Sequence, residues 1–143
     1  MKPKVYIDGK DGTTGLQIYD RLAARDDIGL LLIDEAKRKD PGERKRLMAE
    51  ADIVFLCLPD AAAVEAVALA EGSGARMIDA STAHRTAPGW VYGFPELRPG
   101  QREAIAGARY VANPGCHATG FISIVAPLPG RTSLPKGILM FLF

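Results

Sequence analysis

The chain has 143 residues, a length that suits one domain and leaves no room for a second full one. Hydrophobic residues make up 48% and charged residues 24%, the balance of a soluble globular protein, and a formal net charge of +1 excludes a global field drawing the chain to nucleic acid or an acidic membrane. The N-terminus lacks the apolar core and cleavage site of a signal peptide, and no apolar run nears the roughly 20 residues that span a bilayer, so a cytoplasmic location is the default expectation.

Apolar runs alternate with helical patterns along the chain. Val5 to Asp8 is a short strand candidate ending in Gly9. From Thr14 to Arg25, Leu16, Tyr19, Leu22 and Ala23 fall on one helical face. Leu30 to Ile33 is a second strand, closed by Asp34, and Pro41 opens a short helix through Glu50. Ile53 to Leu58 is a continuous apolar run, as a parallel strand covered on both faces requires, and Pro59 stops it. Asp60 is expected to cap an Ala-rich helix from Ala61 to Glu71, which Gly72 and Gly74 end. Met77 to Ala80 is another strand, residues 83–100 read as irregular, and a short helix covers Gln101 to Ala106. Tyr110 to Ala112 is a further strand, followed by a helix from Cys116 to about Ala126. This alternation predicts a Rossmann-like, doubly wound, mainly parallel α/β sheet with helices on both faces. Ligands in such sheets bind beyond the carboxyl ends of the strands.

The first strand-to-helix turn, Gly9-Lys10-Asp11-Gly12-Thr13-Thr14-Gly15, spaces its glycines G-x-x-G-x-x-G. Such a turn aims backbone N–H groups at one point, at the positive end of a helix dipole, which suits a pyrophosphate. Glycine lets the backbone approach the phosphates, and the Thr13 and Thr14 hydroxyls can add donors. The spacing departs from the G-x-G-x-x-G dinucleotide fingerprint, with Asp11 at the place of the middle glycine. Asp34 stands where an acid would bind the ribose of NAD, but Lys37, Arg38 and Lys39 follow, and cations there favour the 2′-phosphate of NADP.

The two cysteines, Cys57 and Cys116, have no metal-ligand spacing, and no metal site is expected. Cys57 lies in an apolar strand and reads as a structural thiol. Cys116 follows a sharp turn, Asn113-Pro114-Gly115, at the start of a helix. A helix N-terminus stabilises a thiolate, and free N–H groups there can hold an oxyanion on an attacked carbonyl. A thiolate beside a nicotinamide site can form a thioester that accepts or donates hydride.

Five segments carry a family resemblance: the turn Gly9 to Gly15; Cys57-Leu58-Pro59-Asp60; Asp79-Ala80-Ser81-Thr82-Ala83-His84-Arg85-Thr86; Trp90-Val91-Tyr92-Gly93-Phe94-Pro95-Glu96; and Asn113-Pro114-Gly115-Cys116. Together they resemble the N-acetyl-gamma-glutamyl-phosphate reductases, the shorter form above all, over residues 1 to about 128. The wider group includes aspartate-semialdehyde dehydrogenase, which usually has Asn in place of Gly115. The resemblance implies an NADPH-dependent reduction in arginine biosynthesis, in which Cys116 attacks the acyl carbon of an acyl phosphate and forms a thioester. It also implies that Leu58, Pro59 and Ser81 border the cofactor with the glycine turn, and that Arg85, Asn113 and Gly115 face the substrate, Arg85 through an anionic group. The family usually has Tyr or Phe in place of His84. Neither His84 nor His117 is expected to serve as the base; His117 is expected to point elsewhere on its helix.

The resemblance implies a second domain, with the catalytic His, much of the substrate site and the subunit interface of a homo-oligomer, and this domain is expected to be missing here. Residues 129–143, ending in the apolar run Ile138 to Phe143, read as an atypical tail and, if exposed, as an aggregation hazard. Two classes of function stay open: a piece of an active reductase with little or no turnover alone, and a non-catalytic nucleotide-binding remnant. A third reading is a relative acting on aspartyl phosphate.

Overall fold

The computed structural model describes residues 1–127. Six strands form one sheet in the order β2-β1-β3-β4-β6-β5, with every pair parallel. They are β1 (Lys4–Asp8), β2 (Gly29–Leu31), β3 (Ile53–Leu56), β4 (Arg76–Asp79), β5 (Val91–Tyr92) and β6 (Tyr110–Ala112). The intervening helices are α1 (Thr13–Ala23), α2 (Pro41–Glu50), α3 (Asp60–Leu69), α4 (Gln101–Gly107) and α5 (Cys116–Val125). The chain runs outward from β1 to β2, then returns to place β3 on the other side of β1. That reversal is the topological switch of a doubly wound, Rossmann-like sheet. The register aligns Asp8, Leu56, Asp79 and Ala112 in one row. The loops leaving this row carry both the glycine turn and the cysteine turn.

Side-chain alternation decides which sheet face is filled. Tyr6, Val54, Leu56 and Met77 pack under α2 and α3 through Leu47, Met48, Ala51, Ala66 and Ala70. Ala63 and Ala66 of α3 and its C-cap Ala70 are each almost fully buried, and small residues there let the helix sit close to the sheet. The opposite face is filled unevenly: Val5, Ile7 and Val111 are buried, while Ile53, Phe55 and Ile78 are only half-buried. The continuous apolar run of β3 was expected to be covered on both sides, and one side is only partly so. The apolar face expected of α1 is also thin. Gly15 is its one buried residue, Tyr19 and Leu22 are half-buried, and Leu16 and Ala23 are exposed.

Local chemistry accounts for the element ends. Asp40 caps α2, its carboxylate accepting from the N–H groups of Gly42 (2.7 Å) and Glu43 (3.2 Å), with Pro41 in the first helical position. Asp60 was expected to cap α3, but Pro59 takes the cap position and no side chain caps that helix. The Asp60 carboxylate instead accepts from the backbone N–H of Thr82 (2.8 Å) and from its hydroxyl. The segment 83–100, expected to be irregular, contains β5 on the sheet edge, where Gln101 donates to the Tyr92 carbonyl (2.5 Å). Two residues between prolines and glycines are too short for a periodic signal.

Candidate active site

The glycine turn is built by steric need at two of its three glycines. Gly9 has φ +87°, and a Cβ there would lie 2.3 Å from the Cys57 carbonyl oxygen. A Cβ on Gly15 would lie 2.2 Å from the Gly9 carbonyl oxygen. Gly12 is different: it is exposed, and a Cβ would meet only ordinary contacts at 3.6 and 4.0 Å. Packing of the chain on itself does not require glycine there. Gly12 is also the N-cap of α1, which has no side-chain cap and no acidic residue in its first turn. The positive end of α1, with exposed Thr13 and Thr14 as its first residues, is left open for an anion. These features fit a dinucleotide's phosphates.

Beside the turn lies a cavity of about 540 Å³, lined among others by Gly9, Lys10, Arg38, Lys39, Arg44 and Leu58. Arg38 reaches Asp11 (2.9 Å) and Glu35 (3.1 Å) at its rim. Lys37 and Pro59 are not part of this lining, and neither is Ser81. Asp34 turns its carboxylate to the backbone N–H of Ala36 (2.9 Å), capping a short 3-10 turn at Glu35–Lys37. Sequence reasoning missed the buried pair on the cavity wall. Arg44 reaches Asp8 (2.8 Å), and their side chains are 10% and 4% exposed. The Tyr6 hydroxyl also donates to Asp8 (3.3 Å). The available signal was an acid at the last position of the first strand, directly before the glycine turn.

The second cluster is organised by Asp79, fully buried at the end of β4. Its carboxylate accepts from the Ser81 N–H (2.9 Å) and hydroxyl (2.7 Å) and lies 2.6 Å from His84 Nδ1. His84 stacks on Trp90, with ring centroids 4.2 Å apart and planes 13° apart, and Trp90 packs on Tyr110. His84 and Ser81 therefore hold the loop that carries Arg85. Asp60 holds the same loop from α3. Its carboxyl sits below the usual aspartate range, chiefly through the Thr82 hydroxyl and N–H, with Arg85 adding attraction.

Arg85 brings its guanidinium against the cysteine turn. A Cβ built on Gly115 would lie 2.5 Å from Arg85 Nη1, and Arg85 Nε is buried with no hydrogen-bond partner among the described residues. Gly115 is the N-cap of α5, and Cys116, its first residue, is exposed. No side chain caps α5, and its first turn holds no acid. The Cys116 sulfur lies 3.4 Å from His117 Nδ1, so His117 does not point elsewhere as expected. Asn113 is exposed, donating from Nδ2 to the Pro114 carbonyl (3.3 Å), while its backbone N–H joins the Asp79 carbonyl (2.7 Å). Cys57 is half-buried, and burial pushes its thiol up to about 11, with Asp8 and Asp79 adding to the effect. The arrangement offers an exposed thiol, a cation and an open helix end together, at the same carboxyl end of the sheet as the glycine turn.

Residues 33–108 match the model of the semialdehyde dehydrogenase NAD-binding domain. The chain belongs to the semialdehyde dehydrogenase family. The domain is thus one that binds a nicotinamide dinucleotide. The chain is 60% identical, over 135 residues, to the N-acetyl-gamma-glutamyl-phosphate reductase of Trichormus variabilis, covering 94% of this chain and 42% of that protein. It is 57% identical over 136 residues to the reductase of the same name from Brucella canis, covering 94% and 44%. The chain thus spans less than half the length of these curated relatives. Among solved structures, aspartate semialdehyde dehydrogenase II of Vibrio cholerae in complex with ASA has the same fold (TM-score 0.65, 16% identity, 89% of this chain and 46% of that one). So does the Candida albicans aspartate semialdehyde dehydrogenase with NADP (TM-score 0.62, 12% identity, 89% and 48%). No helix among the described residues is long and apolar enough to cross a membrane, and no cluster of metal-ligating side chains occurs among them. The expected tail, 129–143, lies outside the described residues.

Proposed function

We propose that residues 1–128 are the nucleotide-binding and nucleophile-bearing domain of an NADPH-dependent N-acetyl-gamma-glutamyl-phosphate reductase. The observation that carries this reading is the exposed Cys116 at the open start of α5, with the Arg85 guanidinium against the residue before it. The names of relatives 57–60% identical to this chain favour the glutamyl-phosphate substrate over aspartyl phosphate.

The Cys116 thiolate attacks the acyl carbon of the acyl phosphate, forming a C–S bond. The carbonyl electrons move onto oxygen, where the uncapped N–H groups of α5 are the nearest preorganised donors. As the carbonyl re-forms, the C–O bond to phosphate breaks, and Arg85 neutralises the departing phosphate. When bound, the dinucleotide supplies hydride to the thioester carbon. The C–S bond then breaks, returning the thiolate and releasing the semialdehyde.

Beside the cavity, whose lining does not include Gly12, Thr13, Thr14 or Gly15, the first turn of α1 and the Gly12 approach hold the pyrophosphate. Arg38 and Lys39, which line the cavity, meet the 2′-phosphate and favour NADP over NAD. Leu58 lines the same cavity and gives the dinucleotide an apolar surface.

Two measurements test this reading on the 143-residue chain. Fluorescence titration is expected to show NADPH binding at least tenfold tighter than NADH. N-acetyl-glutamate semialdehyde is expected to reduce NADP at most slowly on this chain, only when phosphate is present, and Cys116→Ala is expected to abolish that signal. NADPH binding together with a Cys116 that N-acetyl-gamma-glutamyl phosphate leaves unmodified identifies a non-catalytic nucleotide-binding remnant. A preference for aspartate semialdehyde overturns the substrate assignment.

A further inference from the structure

The backbone at Gly115 does not call for glycine. Its φ of −81° and ψ of 152° are extended values that any L-residue adopts. Helix capping does not demand glycine either, because Ser, Asn or Asp at an N-cap adds a hydrogen bond that α5 lacks. What glycine supplies is space. A Cβ would stand 2.5 Å from Arg85 Nη1 and 2.9 Å from both Cζ and Nη2. Three atoms of one rigid plane are in conflict, so the guanidinium would have to shift as a unit away from the turn.

We infer that Gly115 is a positioning residue that admits the Arg85 cation to the nucleophile turn, so that charge and thiol share one end of α5. This rests on the reductase reading only for the identity of the anion that Arg85 meets. The guanidinium is the far end of a long side chain, and its Nε has no hydrogen bond to lose. A side chain at 115 therefore displaces charge at small cost to the fold. Glycine also keeps the first N–H groups of α5 free of a competing side chain. Gly115 itself makes no demand on substrate specificity by contact; it acts through Arg85.

The test compares alkylation of Cys116 by iodoacetate and by iodoacetamide, which differ in charge and share one chemistry. Modification is read on the Cys116 peptide by mass spectrometry, so Cys57 does not enter. At low salt, the ratio of the iodoacetate rate to the iodoacetamide rate is expected to fall severalfold in Arg85→Ala, as the loss of one charge close to the thiol in a water-like medium requires. Gly115→Ala is expected to lower the ratio in the same direction, and the double variant is expected to match Arg85→Ala. Gly115→Ser is the second arm: it restores a helix cap, so it folds, and its ratio is expected to fall equally. Thermal melting of each variant is expected to stay near that of the parent chain. A parental ratio in both Gly115 variants overturns the inference, and so does a parental ratio in Arg85→Ala. Additive losses in the double variant overturn it too. The assay uses neither nucleotide nor acyl phosphate, so failure of nucleotide binding or of Cys116 acylation overturns the reductase reading and leaves these ratios standing.

Discussion

Two glycines of the first turn separate folding from binding. Gly15→Ala places a methyl carbon 2.2 Å from the Gly9 carbonyl oxygen and 2.7 Å from Lys10 Cα. Ordinary contact needs about 3.5 Å, so the turn must open by roughly 1 Å, and the obstructing atoms are backbone on both sides. Overpacking of this kind costs about 1–3 kcal/mol. At roughly 4 °C per kcal/mol for a domain of this size, Tm falls by about 4–12 °C. The same opening misaligns the N–H groups at the start of α1. Hydrogen bonds to a charged group contribute about 1.5–3 kcal/mol each, so losing one weakens nucleotide binding by at least about tenfold. Gly12→Ala meets contacts of only 3.6 and 4.0 Å. Its stability is expected to change by less than about 1 kcal/mol, yet its methyl group stands where the phosphates approach, and affinity again falls by about tenfold or more. Thermal melts with NADPH titrations on both variants decide the matter. Parental stability in Gly15→Ala, or parental affinity in Gly12→Ala, refutes the reasoning.

Arg44→Ala strands the buried Asp8 carboxylate, whose remaining side-chain partner is the Tyr6 hydroxyl. Removing one member of a buried pair costs about 3–5 kcal/mol, so the urea midpoint is expected to fall by roughly 1–2 M; a shift below about 0.3 M contradicts the pairing. Acidification tests the Asp60–Thr82 tie. Because this carboxyl is lowered in the folded chain, its contribution is complete above the ordinary aspartate value of 3.8 and is lost as pH falls through the lowered folded value. The stability gap between the parent chain and Asp60→Asn is therefore expected to be open near neutral pH and to close only in acid below 3.8. Melts across this range check it, and a gap that widens on acidification is the wrong sign.

Much of the fold was legible because its signals are local. Asp40-Pro41 marks the start of α2, and the β6 residues Tyr110–Ala112 stand between breakers. What was not legible is long-range. Asp60 has the composition of a helix cap, but Thr82, 22 positions away, takes its carboxylate. Arg44 sits among other charged residues in α2, with no local signal of burial, and only the packing of α2 on β1 sends it to Asp8. For the candidate site, the glycine and cysteine turns were read as strand-to-helix turns, and both are. The contact of Arg85 with Gly115 joins segments 30 residues apart and has no signature in either alone. Which of these residues touch ligands is the substance of the proposal.

The central claim is that Cys116 accepts the acyl group. The direct measurement incubates the chain with N-acetyl-gamma-glutamyl phosphate without nucleotide, quenches in acid, and follows both the Cys116 peptide and free phosphate. The account predicts one N-acetylglutamyl group on Cys116, an equal amount of phosphate released, an unmodified Cys57, and a slower reaction in Arg85→Ala. An unmodified Cys116, with phosphate released no faster than in buffer, contradicts it.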